Sequence, residues 1–463
     1  MRQLDRTKHL GEAPIPGLLI KFSLPAIVGM VVNALYNVVD RIFIGHGVGD
    51  IGIAGITVGF PMSIIMMAFG MLIGIGATSL ISIRIGEQKH EEAEAIMANG
   101  TLLLILSSLG ITVVSLIWLE PLMVLFGANA EIMPYALDYM KIIVSGSLLM
   151  GIGFGMNNFI RAEGNPKIAM YTMLIGAAVN TILDPIFIFG FGWGMKGAAW
   201  ATVIAQGVSS VWVLSYFLTG KSSLKLRLKN FPLRRKYVSS ILAVGSAPFL
   251  MQMAASLLTV ILNKNLLFYG GEKAISVFGI INSLDMLIFM PIFGINQGSQ
   301  PIIGYNYGAK NFKRVRHTLG LASLAATMIM LIGFVLNVFF PAEMLALFNA
   351  NDPDLLAIGI KARRISALAF PIIGFQITGA HYFQAVGKPR PAMTLSVVRQ
   401  IVLLIPFVIF FPRFLGLHGI FWAFPVSDLG AAFLTSCWLA YELRGIKEKE
   451  TRCCKEEPAW GEC

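Results

Sequence analysis

Asp40 and Asp184 are the side chains of this 463-residue sequence best placed to do chemistry. Each sits inside a long apolar stretch, where a carboxyl is costly and normally pairs or turns toward a cavity. Asn180 lies one helical turn before Asp184, and Tyr36 one turn before Asp40, so each acid shares a face with a polar neighbour. Thr202 falls at a comparable depth at the start of the apolar stretch that follows. Two carboxylates flanked by amide and hydroxyl oxygens suit a hard cation such as Na⁺, which prefers oxygen ligands. They equally suit a proton held by a pair that titrates as one unit. The plainer alternative is that Asp184 makes turn chemistry before Pro185 and that Asp40 pairs with Arg41. The agreement in depth among the three stretches favours the ion site.

The elements that must position these groups are membrane helices. Hydrophobic residues make up 56% of the chain and charged residues 13%, where a soluble protein carries about 25% charge. Twelve stretches reach the roughly 20 residues a bilayer requires. They fall at 16–44, 51–82, 95–118, 133–158, 168–190 and 197–218, then at 240–264, 275–299, 318–340, 363–387, 392–411 and 419–441. Lipid cannot satisfy backbone polar groups, so closed helices are expected, and the alternation of a membrane barrel is missing. The fold class is an all-α polytopic membrane protein of about twelve transmembrane helices.

The chain also repeats itself. Pro25 matches Pro248, Gly76 matches Gly298, Gly86 matches Gly308 and Phe126 matches Phe348. Gly164, Pro166, Gly197 and Trp200 match Gly387, Pro389, Gly419 and Trp422. In that register the uncharged Asn263 stands opposite Asp40. Two six-helix lobes, 1–218 and 240–441, are expected on either side of a basic linker at 219–239, with a tail at 442–463. Six helices per copy make the repeats parallel, an arrangement typical of transporters that rock one half against the other.

The net charge of +11 follows topology. Lysines and arginines crowd the linker, the 305–317 loop and the two tails, while the 45–50 and 119–132 loops have none. By the positive-inside rule both termini and the linker are expected in the cytoplasm, and no nucleic-acid partner is expected. The first apolar run is too long for a cleavable signal peptide. Cys437 reads as a small buried residue of the last span. Cys453, Cys454 and Cys463 lie in a cytoplasmic tail where disulfides are not expected.

In the second half Asp285 is the prominent buried acid. With Asn282, Met286, Phe289 and Met290 on the same stretch it could attract an organic cation into an adaptable wall, or form an ion pair. Met62 and Met66, with Met67, are candidates for the opposing wall. Asp428 is a further candidate, and Glu163 with Arg161 reads as a brace for a cytoplasmic loop. The six histidines are scattered, and His381 reads as a packing residue. No HExxH, Walker or GxSxG motif occurs, so neither an enzyme nor an ATP-driven pump is expected, and no cofactor beyond a coupling ion.

Tyr36-Asn37-x-x-Asp40 followed by FIGHGVG, Asn180-x-x-x-Asp184-Pro185, and RAEGNPK at 161–167 resemble the MATE (multidrug and toxic compound extrusion) family, nearest its DinF-like branch and MepA-like members. The resemblance runs from Ile15 to about Glu442 and recurs as FQAVGKPRPA at 383–392. It implies a bacterial inner-membrane exporter of amphipathic, often cationic compounds, coupled to inward Na⁺ or H⁺. It assigns the coupling site to Asp40, Asn180, Asp184 and Thr202. The NorM-like branch also has acids in spans 7 and 10, which this sequence lacks, so no second-lobe cation site of that type is implied. A monomer is expected. Two other readings carry different requirements. A flippase for lipid-linked oligosaccharides needs a cavity rich in Arg and Lys, and here Lys141 and Arg399 are the clear intramembrane cations. A membrane-embedded lipid enzyme needs a catalytic constellation.

Overall fold

The structure, a computed structural model, describes residues 9–220, 222–346 and 353–456. Among the described residues every regular element is a helix. The first lobe contains α1 (Ile15–Gly47), α2 (Ile51–Gly86), α3 (His90–Ile117), α4, α5 (Pro166–Gly190) and α6 (Gly194–Leu218). Helix α4 is a pair, Met133–Ser145 and Ser147–Ala162, bent by 54°. The second lobe contains α7 (Arg235–Gly271), α8 (Lys273–Gly308), α9 (Phe312–Phe339), α10, α11 (Pro389–Leu415) and α12 (Leu417–Gly445). Gly271, at φ 66°, makes the break between α7 and α8.

Ten of these helices, and α4 as an eleventh, are long and apolar enough to cross a bilayer. Helix α10 is the exception to the expected twelve. It runs Pro353–Ser366, then a 3-10 turn at Ala367–Ala369, then Phe370–Ala385. Lys361, Arg363 and Arg364 stand in its first piece, and Gln376, Thr378 and Gln384 are buried in its second. Such a helix is held by protein rather than by lipid, and it packs on α9 and α12. Cys437 also departs from expectation, being exposed. It shares the outward face of α12 with Phe433 and Tyr441, one turn away on either side. Cys463 and Phe348 lie outside the described residues, as do the side chains of Cys453 and Cys454.

The lobes meet where α1 and α2 pack on α7 and α8. The contact is made backbone to backbone at the end of the bundle nearest the linker. Gly86 of α2 abuts the carbonyl of Tyr305, and Gly308 of α8 abuts the carbonyl of Ile83. Ile83 and Tyr305 are separated by the same 222 positions as Gly86 and Gly308, so the contact is reciprocal. Further in, Gly76 packs on Ile241 and Gly245 of α7, and Gly298 packs on Ser23 of α1. A Cβ at these glycines would overlap the opposite lobe, which is why the close approach requires glycine. The Gln300 amide donates to Ser79 Oγ at 2.8 Å across the same seam. Just beyond the seam, Gln88 and Lys310, again 222 apart, hold left-handed φ values of 61° and 59°.

Valine at Gly86 or Gly308 should force the lobes apart at the linker end. Spin labels at the exposed Lys89 and Lys313 would then report a longer distance than in the parent protein. An unchanged distance distribution would show that the seam tolerates side chains.

Candidate functional site

Four helices of the first lobe converge on the two acids. Helix α1 carries Asp40 and Tyr36, α5 carries Asn180 and Asp184, α6 carries Thr202, and α4 carries Tyr139. The tops of α1 and α5 are joined by Phe43 and Phe189, whose rings meet edge to face at 6.2 Å. Pro185 ends the regular α-helix directly after Asp184 and passes into a π-helical turn, Ile186–Gly190. Phe187 of that segment stacks on Phe191 just after it, and both rings meet Trp193 at a tilt, closing the chain back toward α6.

Asp40, Asn180 and Asp184 are buried, at 7%, 1% and 0% exposure. The two carboxyls lie within hydrogen-bonding reach of each other. Asn180 Nδ2 donates to Asp184 Oδ1 at 3.2 Å and to Thr202 Oγ1 at 3.4 Å. Tyr139 lies near Thr202, and both Tyr36 and Tyr139 lie close to the two acids. Among the described residues, Asp40 Oδ1, Asp184 Oδ2 and Asn180 Oδ1 are buried with no hydrogen-bond partner. Arg41 lies over the Phe60 ring at 5.8 Å, and among the described residues no ion pair joins it to Asp40. Two ionised carboxyls in contact would repel, so the arrangement needs a proton or a cation between them. The orphaned oxygens offer such a cation several ligands of the right kind.

The five residues named from the sequence for the coupling site, Tyr36, Asp40, Asn180, Asp184 and Thr202, therefore lie in one cluster. Tyr139 is the member that sequence reading missed. Its signal was available, because it stands early in α4 at the depth at which Thr202 stands early in α6.

The second lobe is arranged differently. Asp285 of α8 is paired with Arg363 of α10 at 2.6 Å, and Arg399 of α11 is paired with Asp428 of α12 at 2.7 Å. Arg363 is fully buried. It stands at the first position of the expected span 363–387 and was not singled out from the sequence. Asn282 and Met286 are exposed beside Asp285, and Met290 is half-buried. Met62 and Met66 do not face them. Both are buried in the first-lobe core, where Ser115 Oγ contacts the Met62 sulfur and Met66 lies near Ser108 and Ser147. The opposing-wall assignment is corrected accordingly, since these methionines turn inward toward α3 and α4. His381 is half-buried in α10.

Glu163 braces the linker, but not through Arg161. Arg161 donates to Asn158 Oδ1 at 2.9 Å. Glu163 accepts from the hydroxyl of Ser222 at 2.5 Å, the N–H of Ser223 at 3.0 Å and the hydroxyl of Tyr216 at 3.1 Å. Two more anchors follow along the linker. Glu94 accepts from the N–H of Lys225 and pairs with Arg227, and Asn99 bonds the backbone of Asn230 and Arg234.

Two repeated six-helix lobes, each with charge buried in its interior, make this a multi-pass membrane transporter with parallel repeats. The profile of the MatE family matches residues 25–186 and 248–410, once in each lobe. The chain belongs to the MatE family, whose members are transporters rather than enzymes. It is similar to the multidrug export protein MepA of Staphylococcus haemolyticus (strain JCSC1435), with 28% identity over 438 residues covering 94% of this chain and 95% of the relative. MepA of Staphylococcus aureus (strain MSSA476) is 27% identical over 442 residues, covering 95% and 96%. Among solved structures, the outward-facing conformation of a multidrug resistance MATE family transporter of the MOP superfamily superposes with a TM-score of 0.89 at 26% identity, covering 95% and 98% of the chains. A MATE transporter in the bent conformation superposes with a TM-score of 0.90 at 25% identity, covering 97% and 99%.

Burial pushes the Glu163 carboxyl up to about 7 from its ordinary value of 4.5, and the Ser222, Ser223 and Tyr216 donors oppose that rise. Because the folded value is raised, the native state binds more protons than the unfolded state between those two pH values. Stability from this group therefore increases as pH falls from above 7 toward 4.5. Melting temperatures across that range should show this slope in the parent protein and a flatter one in Glu163→Gln. A slope kept unchanged in the variant would assign it to other groups.

Proposed function

We propose that the protein is a cation-coupled antiporter that exports amphipathic, often cationic, drug-like compounds from a bacterial cell by alternating access. The observation that carries this reading is the pairing of Asp40 and Asp184, two buried carboxyls with unpartnered oxygens that call for a compensating positive charge, H⁺ or Na⁺. Export of multiple drugs is supported by the resemblance to the MepA proteins. In this reading the protein acts as a monomer in the cell membrane, with both termini and the 219–239 linker in the cytoplasm. The lobes at 1–218 and 240–441 move against each other.

The coupling follows from differential affinity. An ion can shift the conformational equilibrium only by as much as it binds one state better than the other, and a shift from 1:99 to 99:1 takes about 5.5 kcal/mol. Seating a cation among otherwise unpartnered buried oxygens is of that order, because each buried polar group left unsatisfied costs about 1–3 kcal/mol. Ion entry from outside would favour the state that releases cargo outward. The flippase reading lacks what it calls for. Arg363 and Arg399 are each committed to an aspartate, so the second lobe does not present a row of free cations to phosphates.

Reconstitution in liposomes with separately imposed Na⁺ and pH gradients tests the proposal, with a fluorescent organic cation as cargo. At least one gradient should drive transport, and Asp40→Asn should abolish the driven component while the protein remains inserted. Transport indifferent to both gradients, or undiminished in the variant, would remove Asp40 and the coupling with it.

A further inference from the structure

Arg161, in the last turn of α4, is a buried cation without an acid. It is 5% exposed. One of its Nη groups donates to Asn158 Oδ1 at 2.9 Å and the other contacts the Met173 sulfur at 3.6 Å, and among the described residues no carboxylate pairs with it. A cation within a membrane helix ordinarily pairs with an acid or reaches for the nearest water. Arg161 does neither. Helical side chains lean toward the N-terminus of their own helix, and in α4 that direction leads away from the linker end and into the lobe. Both contacts lie that way, since Asn158 precedes Arg161 on α4 and Met173 stands about two turns into α5.

The arginine thus stands at the foot of a column that carries the acid pair at its other end. Met173, Ala177, Asn180 and Asp184 are spaced to share one face of α5, which puts Met173 about 16 Å along the axis from Asp184. On α1, Gly29 precedes Asp40 by the same interval, and Gly29 packs directly on the Met173 sulfur. Gly74 of α2 packs on Asn158, so α1, α2, α4 and α5 meet around these contacts. Between the two ends the lobe is not wholly apolar. Gln206 of α6 lies one turn beyond Thr202, and its Oε1 is buried with no partner among the described residues. Nearly a turn further, Ser209 donates to the carbonyl of Thr172, the neighbour of Met173. At the foot, Asn157 donates to the Ala169 carbonyl, and its Oδ1 is again buried without a partner among the described residues. A cation held by Asp40 and Asp184 therefore has oxygen neighbours leading toward the linker end, and the group that stands there is positive.

We infer that Arg161 is an electrostatic stopper that keeps the coupling cation from passing through the first lobe without cargo. The inference rests on the reading of Asp40 and Asp184 as the coupling site. An antiporter conserves a gradient only if the ion crosses when the lobes change state, and a file of polar oxygens through one lobe offers a way around that cycle. A fixed positive charge at the foot of the file opposes a cation by like-charge repulsion, which is strong where apolar surroundings leave little water to screen it. Channels and pores use an arginine in this way to exclude cations and protons. A carboxylate beside Arg161 would cancel its field, which gives the missing partner a reason.

The test uses the full-length protein in liposomes without cargo, with a trapped pH-sensitive or Na⁺-sensitive dye and an inwardly directed gradient of the matching ion. The parent protein should hold each gradient nearly as long as protein-free vesicles do. Arg161→Gln and Arg161→Met should dissipate at least one gradient about tenfold faster, the change expected when one close like-charge interaction is removed from a barrier. Arg161→Lys keeps the charge and should stay tight. Adding Asp40→Asn to Arg161→Met should close the leak, because the ion enters the column at the acid pair, whereas damaged packing would leak with or without Asp40. Gradients held by membrane-inserted Gln and Met variants would overturn the inference. So would a lysine variant as leaky as the methionine one, or a leak that persists in the Asp40→Asn background. Gradient-driven cargo transport by the parent protein is scored separately, so coupling and stopper fail separately.

Discussion

A charge held in hydrocarbon must be compensated, because the desolvation of a single unpaired ion amounts to several kcal/mol even after the protein relaxes, and the two lobes of this molecule meet that constraint in opposite ways. The second lobe meets it internally, setting an arginine against each aspartate. The first lobe leaves the compensation open. Asp40 and Asp184 lie together, with Asn180 donating to Asp184 and to Thr202, and among the described residues no ion pair is made to either acid. One lobe therefore pairs its acids internally, whereas the other leaves buried carboxyl oxygens without a partner among the described residues. The duplicated scaffold supplies matching frames, and substitution at a few interior positions has given them different electrostatic characters.

Between the lobes the controlling interaction is steric rather than electrostatic. Spans α2 and α8 touch through glycines placed reciprocally by the repeat, so the backbones come as close as the fold permits. Contacts of this kind are common between membrane helices, where small residues let dispersion forces act over a long backbone. They also divide lobe contact from lobe interior. At the linker end of the seam Arg314 of the second lobe reaches across it, its Nη2 donating to the carbonyls of Leu10 and Ala13. The polar groups buried there include Gln300 and Ser79, which bond each other, and Ser23, Ser82 and Asn296, which have unpartnered atoms among the described residues.

Much of this was legible in the sequence, for reasons that can be traced residue by residue. The depth of Asp40, Asp184 and Thr202 follows from counting along regular helices, and regular helices are what lipid enforces. The basic, polar stretch at 219–239 marks where the two copies join, and the register Pro25 to Pro248 sets Asn263 opposite Asp40. Failures came where side-chain direction mattered. Met62 and Met66 have the right depth but point inward, and hydropathy cannot tell a lipid-facing apolar residue from a core one. Arg363 was overlooked because a cation near a span's edge ordinarily reaches for water, whereas here it turns into the lobe toward Asp285. Helix α10 was drawn as a plain span because its polar residues are shielded by neighbours that no local pattern reveals. Tyr139 needed only the same depth count applied to α4.

The anchored linker has a mechanical consequence. Residues 222–234 are bound to the first lobe by Glu163, Glu94 and Asn99, and the last of these bonds ends on the N–H of Arg234, the residue just before α7 begins. The connection between the lobes is thus a clamp rather than a tether. It adds almost no slack, and it fixes the foot of α7 to the end of α3. Any relative rotation of the lobes has to leave that corner in place, much as a door leaves its hinge. In such a rotation the largest displacement would fall on the helices farthest from it, and its direction would be set by where the chain crosses from one lobe to the other.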